Sequence, residues 1–554
     1  MRHFCRWDEV SSTGETNDFL LEVARRLCAR INSRTTREFL LDRIDHGDLL
    51  ALCNFTPVYS ELSVSDCLNV RQVTAFFQKR GDLELGVDRA KAAIDSFKEA
   101  EELCRKSNEI FRLRADGLFQ FPPDVESVLH RTSRKISQMM GPVPDLSELK
   151  LRFGPGATTQ VVKRKASVKR KLSERLACSE SLIPYLSPIL EELPLWVDFQ
   201  ATVHNEESWV VPVDIHRGKI RLVPKSWKTD RTIAVEPMLN QMVQLGINDH
   251  LCARFEARGL DLSDQSVNQR LAREGSITNA LATLDLSSAS DTVSTGLVLD
   301  LLPWEWFCLL DPLRSQEVEF DGQTLALEKF SSMGNGFTFP LESIIFYSLA
   351  ASCCKEEDIG FVSVFGDDII VPTYAYDLLV KVLTAVGFIP NLNKSFADGP
   401  FRESCGADWH SGINIRPLYI KGPLALFDIF RIHNWFARRY DDELSSFILS
   451  IIPKDFRIFG PDGYGDGHLV GDGGLRPHGR DRGWSGYTFE TFTRKPKKDF
   501  SVLPGDRVYP FYATYSGSIE DRGFTPHRGG TFGVSIPGAE GVNRIKIYTV
   551  SPSA

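Results

Sequence analysis

"SVFGDDIIVP", residues 363–372, sets two aspartates side by side between apolar runs, and its reading decides the fold. Val362 and Val364 before the pair, with Ile369, Ile370 and Val371 after it, have the β-branched content of strands. Gly366 permits a tight turn between them. The stretch predicts a β-hairpin with Asp367 and Asp368 at its tip. Paired aspartates at a turn also suit a solvated Asx turn, so the pair needs a partner before it implies chemistry.

That partner lies upstream in "ATLDLSSASDTVS", residues 282–294, where a short apolar strand ends at Asp285 and small hydroxyl residues follow. A strand ending there can bring a third carboxylate beside the hairpin tip. Three converging carboxylates repel unless divalent cations sit between them, and oxygen ligands without His or Cys favour Mg²⁺ or Mn²⁺. Two such ions form the clamp used for in-line phosphoryl transfer.

The rest of the chain narrows the setting. Its 554 residues, 42% hydrophobic and 25% charged, suffice for a sizeable core divided among subdomains. No apolar run is long enough to span a bilayer, and "MRHFCRWDEV" carries charge where a signal peptide needs an apolar stretch, so a soluble, intracellular protein is expected. The 11 cysteines show no CxxC spacing for zinc or redox chemistry, and reduced thiols are expected. A net charge of −8 argues against a uniformly basic nucleic-acid coat but allows a local basic channel.

Up to about Leu113 the patterning is helical, as in "ELGVDRAKAAIDSFKEAEELCRKSNEIFRL". The turn-marked "LRFGPGATTQ", 151–160, leads into "VVKRKASVKRKLSER", the densest run of positive charge, which reads equally as a solvated face. Short strands such as "SWVVPVDI" and "KIRLVP" follow from about 205, then helix around 236–258, then alternating strand and helix to about 420. Beyond about 455, "FGPDGYGDGHLVGDGGLRPHGRDRGWSGY" predicts mostly turns and loops.

In order, DLSSASD, MGNGFTFPLES and FGDD resemble motifs A, B and C of the palm of template-dependent RNA polymerases. More narrowly, the chain resembles the replicase beta subunit of single-stranded RNA bacteriophages, the Qbeta and MS2 group. The likeness continues in "DLSDQSVNQRLAREGS" (261–276), "VPKSWKTDR" (223–231), "GFIPNLNKSF" (387–396) and "FRESCGADWHSG" (401–412), and so covers about 150–425.

The resemblance implies an α+β right-hand polymerase whose antiparallel-sheet palm packs on helices. Residues 1–150 would form a helical region contributing to fingers and scaffold, 151–280 the fingers, 281–420 the palm, and 421–554 the thumb with a loop-rich end. Asp285, Asp367 and Asp368 would be the catalytic metal ligands for two Mg²⁺ ions, replaceable by Mn²⁺. Lys225, Lys228 and Arg231, with Arg221 as a fourth member, would bind the incoming triphosphate, where cations offset the charge of departing pyrophosphate. The glycines at 334 and 336 would let backbone approach the template and nascent base pair, with Thr338 beside them.

Sugar selection departs from the common polymerase pattern. Where many RNA polymerases carry a second aspartate, five residues after the first, this chain has Ser290 followed by Asp291. Either would meet the ribose 2′-hydroxyl, in company with Asn335. Lys394 matches a lysine that protonates pyrophosphate. The 401–412 stretch matches a hairpin supporting the primer end, with core packing expected for Cys405, and the basic run at 163–175 falls in the fingers.

The activity implied is RNA-directed RNA polymerisation from nucleoside triphosphates on a single-stranded RNA template, in the cytoplasm of an infected bacterium. Partners implied by the resemblance are host elongation factors Tu and Ts and a small-subunit ribosomal protein, with no membrane. A reverse transcriptase shares the palm but normally guards the sugar with a bulky residue, unlike "LSSASD". An inert RNA-binding relative would have no need of all three aspartates.

Overall fold

Amphipathic patterning makes the first part of the chain helical. The computed structural model describes residues 9–205, 208–481, 484–494, 497–499, 502–512, 525–526, 532–536 and 540–549. Ser12 caps the helix Thr13–Cys28, accepting from the Glu15 amide while the Glu15 carboxylate takes the Ser12 amide, and Leu20, Val23, Ala24 and Leu27 then turn inward. Helices α1 (Val64–Gln78), α2 (Arg89–Ala115) and α3 (Pro123–Met140) follow, so the helical pattern to about Leu113 is present.

These helices serve two cores. Phe19, Val70 and Phe76 pack with Phe401, Ile415, Phe430 and Ile448, from far along the chain. Phe111, Val125 and Ile136 instead enter the larger central core with Ile344, Val364 and Ile369. The N-terminal segment therefore straddles the molecule and ties the region after residue 400 to its centre.

Strands β1 (Gly218–Pro224) and β2 (Asp230–Val235) form an antiparallel hairpin in a four-stranded sheet completed by Glu317–Phe320 and Gln323–Ala326. Helices α4 (Met238–Glu256) and α5 (Ser266–Thr278) lead to β3 (Leu281–Leu284), and α6 (Thr338–Cys353) precedes β4 (Ser363–Phe365) and β5 (Asp368–Pro372). The central sheet runs β4, β5, β3, antiparallel throughout, between α5 and α6. Both the central strand β5 and the outer strand β3 are largely buried, β3 at every position, so "LATL" reads as a nearly continuous apolar run. A second antiparallel ladder joins β6 (Phe401–Ser404), β7 (Ala407–His410) and Ile413–Asn414. Short antiparallel sheets packed on helices make this an α+β fold.

Two expectations need correction. The glycine-rich stretch from 459 to 487 is partly strand: Arg476–Asp481 pairs with Trp484–Arg494, which pairs in turn with Glu540–Thr549 over ten positions. The alternation in "YTFETFT", which buries Phe489 and Thr491, outweighs the flanking Gly and Asp. The basic run is also not simply a solvated face. In the helix Val168–Ser173, Lys169 is 2% and Lys171 0% exposed; Lys169 pairs with Asp506 at 3.0 Å and Lys171 Nζ donates to the Gly154 carbonyl at 2.5 Å.

Every described cysteine is free, as expected of reduced thiols. Among the described residues no helix is long and apolar enough to cross a membrane.

Candidate active site

The paired aspartates stand where the sequence puts them. Strand β4 ends at Phe365, Gly366 turns with φ at +63°, and β5 starts at Asp368. A Cβ on Gly366 would come within 3.0 Å of the Phe339 ring, so both backbone angle and space demand glycine there. Helix α6 fastens the turn, the Gly366 amide donating to Ser343 Oγ at 3.0 Å.

Strand β3 supplies the third carboxylate. Its register pairs Leu284 with Ile369, and the next step along both strands sets Asp285 opposite Asp368. The other flank of Asp285 is held by the 389–396 segment: Asn391 Nδ2 donates to Asp285 Oδ2 at 3.0 Å, the Asp285 amide donates to Ser395 Oγ at 3.1 Å, and Lys394 Nζ lies 3.7 Å from the same carboxylate oxygen.

The electrostatics are those of carboxylates short of positive charge. Burial raises Asp368 to about 6, and repulsion from Asp367, Asp285 and Glu403 adds to it, against a hydrogen bond donated by the Cys405 amide. Burial likewise raises Asp285, Lys394 opposing and Asp367 reinforcing the shift. Among the described residues no three His, Cys, Asp or Glu side chains form a closed metal-ligand set. The donor chemistry nevertheless fits a hard divalent cation, since the groups are carboxylates alone and their repulsion is what a cation would relieve.

Cations approach this ledge from the β1–β2 hairpin. Lys225, at its turn, is lowered by burial and by Arg231 and Lys394, while Asp367 and Asp285 favour its charge. Lys228 is exposed on the same turn, Arg231 lies on β2 opposite Val223, and Arg221 is exposed on the same face of β1. Trp227, which nothing in the sequence singled out, is 7% exposed and plugs the turn into the core shared by the N-terminal helices and residues after 400. Lys79, at the end of α1, was also missed; it stacks 3.7 Å over the Tyr419 ring and feels the charge of Lys394 and Arg416.

The glycines before α6 are packed closely against the rest of the chain. At Gly334, φ +115°, a Cβ would fall 2.0 Å from the Ala234 carbonyl of β2, and at Gly336 one would meet Gln244 of α4 at 2.9 Å. They allow the loop to pack tightly against its own chain. Thr338 is buried, donating to the Ser332 carbonyl at 2.9 Å, and Asn335 is 7% exposed with its Oδ1 taking the Phe337 amide at 3.0 Å.

Of the two sugar candidates, Asp291 is spent on an internal ion pair. It is 9% exposed and binds Lys329 Nζ at 2.8 Å, a lysine itself 1% exposed that also faces Glu101 at 3.4 Å. Ser290 donates to Glu342 Oε2 of α6 at 2.5 Å. Burial pushes Glu342 up to about 8, and Asp367 and Asp291 raise it further. Its only signal in sequence is that it is the one charged residue of an otherwise apolar helix.

Asn268 of α5 is a further missed residue. Its Nδ2 donates to the Asp368 carbonyl at 3.0 Å and to Ser404 Oγ at 3.1 Å, and its Oδ1 accepts from Ser363 Oγ at 2.6 Å. It thus locks both strands of the aspartate hairpin to β6. Cys405 is buried as expected, but at φ +47° its backbone amide also serves Asp368; His410 is buried against the Tyr59 carbonyl at 3.0 Å.

With this geometry in view, the likenesses to known proteins are specific. The profile of the RNA replicase beta-chain family matches residues 72–443. The RNA-directed RNA polymerase subunit beta of Escherichia virus Qbeta is 39% identical over 508 residues, covering 86% of this chain and 83% of its own. That of Enterobacteria phage SP is 40% identical over 407 residues, 70% of this chain and 68% of its own. The RNA-directed RNA polymerase beta chain of Escherichia phage MS2 is 38% identical over 284 residues, 51% of this chain and 52% of its own. The chain belongs to the RNA replicase beta-chain family.

Proposed function

We propose that this chain is the RNA-directed RNA polymerase of a single-stranded RNA phage, joining an RNA 3′-hydroxyl to the α-phosphate of a templated nucleoside triphosphate. The observation that carries the reading is the β3–β5 register, which sets Asp285 opposite Asp368 at the hairpin tip, in a chain of this family. Asp285, Asp367 and Asp368 would hold the metal. Two Mg²⁺ ions, or Mn²⁺ in their place, would acidify the attacking hydroxyl and offset charge on the departing pyrophosphate.

The chain's own residues supply the rest. Lys225 and Arg231, with Lys228 and Arg221 further out, bind the triphosphate, and Trp227 holds their turn in place. Lys394, resting against Asp285, gives a proton to pyrophosphate as it leaves. Gly334, Gly336 and Thr338 shape the floor beneath template and nascent pair by packing the loop onto β2 and α4. Ser290 and Asn335 meet the ribose.

The fold reads as a right hand: fingers from 151–280, palm from 281–420, thumb from 421 onward, and a helical segment at 1–150 bridging them. The enzyme works in the cytoplasm of its bacterial host, with elongation factors Tu and Ts and a small-subunit ribosomal protein as partners; their absence from the active chain purified from infected cells would refute that assembly.

The test is Mg²⁺-dependent incorporation of labelled GTP on a C-rich RNA template, comparing the chain with its Asp367→Asn/Asp368→Asn variant at equal folding and RNA binding, both supplied with the host elongation factors and the small-subunit ribosomal protein. Incorporation by the first alone is expected. Incorporation by both would refute the metal assignment, and incorporation by neither would refute the polymerase reading.

A further inference from the structure

The β1–β2 hairpin presents its cations on one face and is fastened by the other. Along β2, Arg231 shares a face with Ile233, while Asp230, Thr232 and Ala234 share the opposite one, as strand alternation requires. On that opposite face Ala234 and Ile220 of β1 pack with Phe97 of α2, so the helix backs the hairpin. Beside the turn that carries Lys225 and Lys228 the contact becomes ionic. Arg89, the first residue of α2, lies 3.9 Å from Asp230 Oδ1.

Arg89 is held in turn by the segment before α2. Its Nη1 donates to the Gly81 carbonyl, and the Gly81 amide donates to the Lys421 carbonyl at 3.1 Å. A Cβ on Gly81 would meet Arg89 Nη1 at 3.0 Å and Pro224 of β1 at 3.9 Å, so glycine lets this segment close on the hairpin. Its neighbour Arg80, 0% exposed, fixes the backbone by donating to Asp82 at 2.7 Å and to Asn17 at 2.9 Å. Asp230 Oδ1 is buried and accepts no hydrogen bond, so the charge of Arg89 is what answers it. Without that cation, a carboxylate adjoining Arg231 would oppose a triphosphate and draw on the cations that bind it.

The rest of α2 shows what this anchor serves. Farther along the helix, Cys104 Sγ donates to the Asp291 carbonyl at 3.5 Å, and Ser107 Oγ accepts from Ser294 Oγ at 3.0 Å. Both partners belong to the chain that follows Asp285. One helix of 27 residues thus touches the cationic hairpin at its first turn and the segment after Asp285 in its middle.

We infer that Arg89 is a positioning residue for the incoming nucleotide: paired with Asp230, it holds the cationic hairpin to α2 and so fixes Lys225 and Arg231 relative to the aspartates. Arg89 itself touches no substrate. This inference rests on the polymerase reading above.

The experiment measures kcat and KM for GTP on a C-rich RNA template, using the full chain with the host elongation factors and the small-subunit ribosomal protein. Arg89→Ala is expected to raise KM about tenfold and to leave kcat nearly unchanged, since the pair contributes to holding the nucleotide and not to the reacting atoms. Asp230→Asn raises KM by a similar factor, and the double variant raises it no further, because the two residues act as one pair. Asp230→Asn carries the test should Arg89→Ala not fold. An unchanged KM, a loss confined to kcat, or losses that multiply in the double variant would overturn the inference. The reading beneath it has its own controls: no incorporation by the unsubstituted chain would bring down the polymerase, and an unchanged KM in Lys225→Ala would bring down the triphosphate assignment, each seen without any change at Arg89.

Discussion

The aspartates at 285, 367 and 368 and the lysines at 169 and 171 are both clusters of like charge, yet the chain treats them oppositely. The lysines are buried and settled from within, one by Asp506 and the other by the Gly154 carbonyl. The aspartates are left in mutual repulsion, with burial and each other's charge holding Asp285 and Asp368 above the ordinary carboxylate range. A folded chain tolerates such repulsion only at the expense of stability, and on the proposed reading a divalent cation at the hairpin tip would relieve it. Density of charge in a sequence does not separate the two cases; the internal partner does.

The comparison can be broken at either end. Replacing Asp285 by alanine should cost at least about three orders of magnitude in nucleotide incorporation, because preorganised charge is the largest catalytic contribution of such sites. The same change should leave the folded chain as stable or more so, since it removes one repelling carboxylate; thermal unfolding beside an incorporation assay checks both. Lys169→Ala should do the reverse. It leaves Asp506 without its cation and should lower stability by about 3 kcal/mol, read by urea unfolding, while RNA affinity of the folded variant stays put. A loss of RNA affinity at unchanged stability would return the basic run to the template channel.

How much of this was legible in the sequence follows the same division. The aspartate hairpin and the strand ending at Asp285 could be read because their causes are local: β-branched flanks, a glycine where φ is positive, a run of apolar residues that stops. The β3–β5 register itself was not legible, but it falls out once both strands end at their carboxylates. Asp291 looked as available as Ser290 because its partner, Lys329, lies beyond an intervening helix pair and announces nothing. Trp227 and Asn268 escaped for the same reason, one being an apolar residue in a basic loop and the other a polar residue on a helix, each defined by contacts far off in the chain. The packing of the glycines before α6 was not legible either, since the Ala234 carbonyl beside Gly334 and Gln244 beside Gly336 lie about 100 and 92 residues earlier in the chain.

Glu236 shows a third way of dealing with a buried charge and sharpens the contrast. It is 2% exposed, accepts from Ser315 Oγ at 2.6 Å, and burial pushes it up to about 7. Neither ligand nor strong ion pair settles it; near neutrality it takes up a proton. Because the folded value lies above the unfolded value of about 4.3, stability from this residue is greatest below that pH, declines as pH rises to about 7, and is level beyond. Glu236→Gln keeps the hydrogen bond and abolishes the titration, so the difference in urea midpoint between pH 5 and pH 8 should shrink by the equivalent of about 2 kcal/mol. An undiminished difference would mean that Glu236 keeps its charge in the folded chain, and that Arg314, whose positive charge opposes the shift, already does for it what Asp506 does for Lys169.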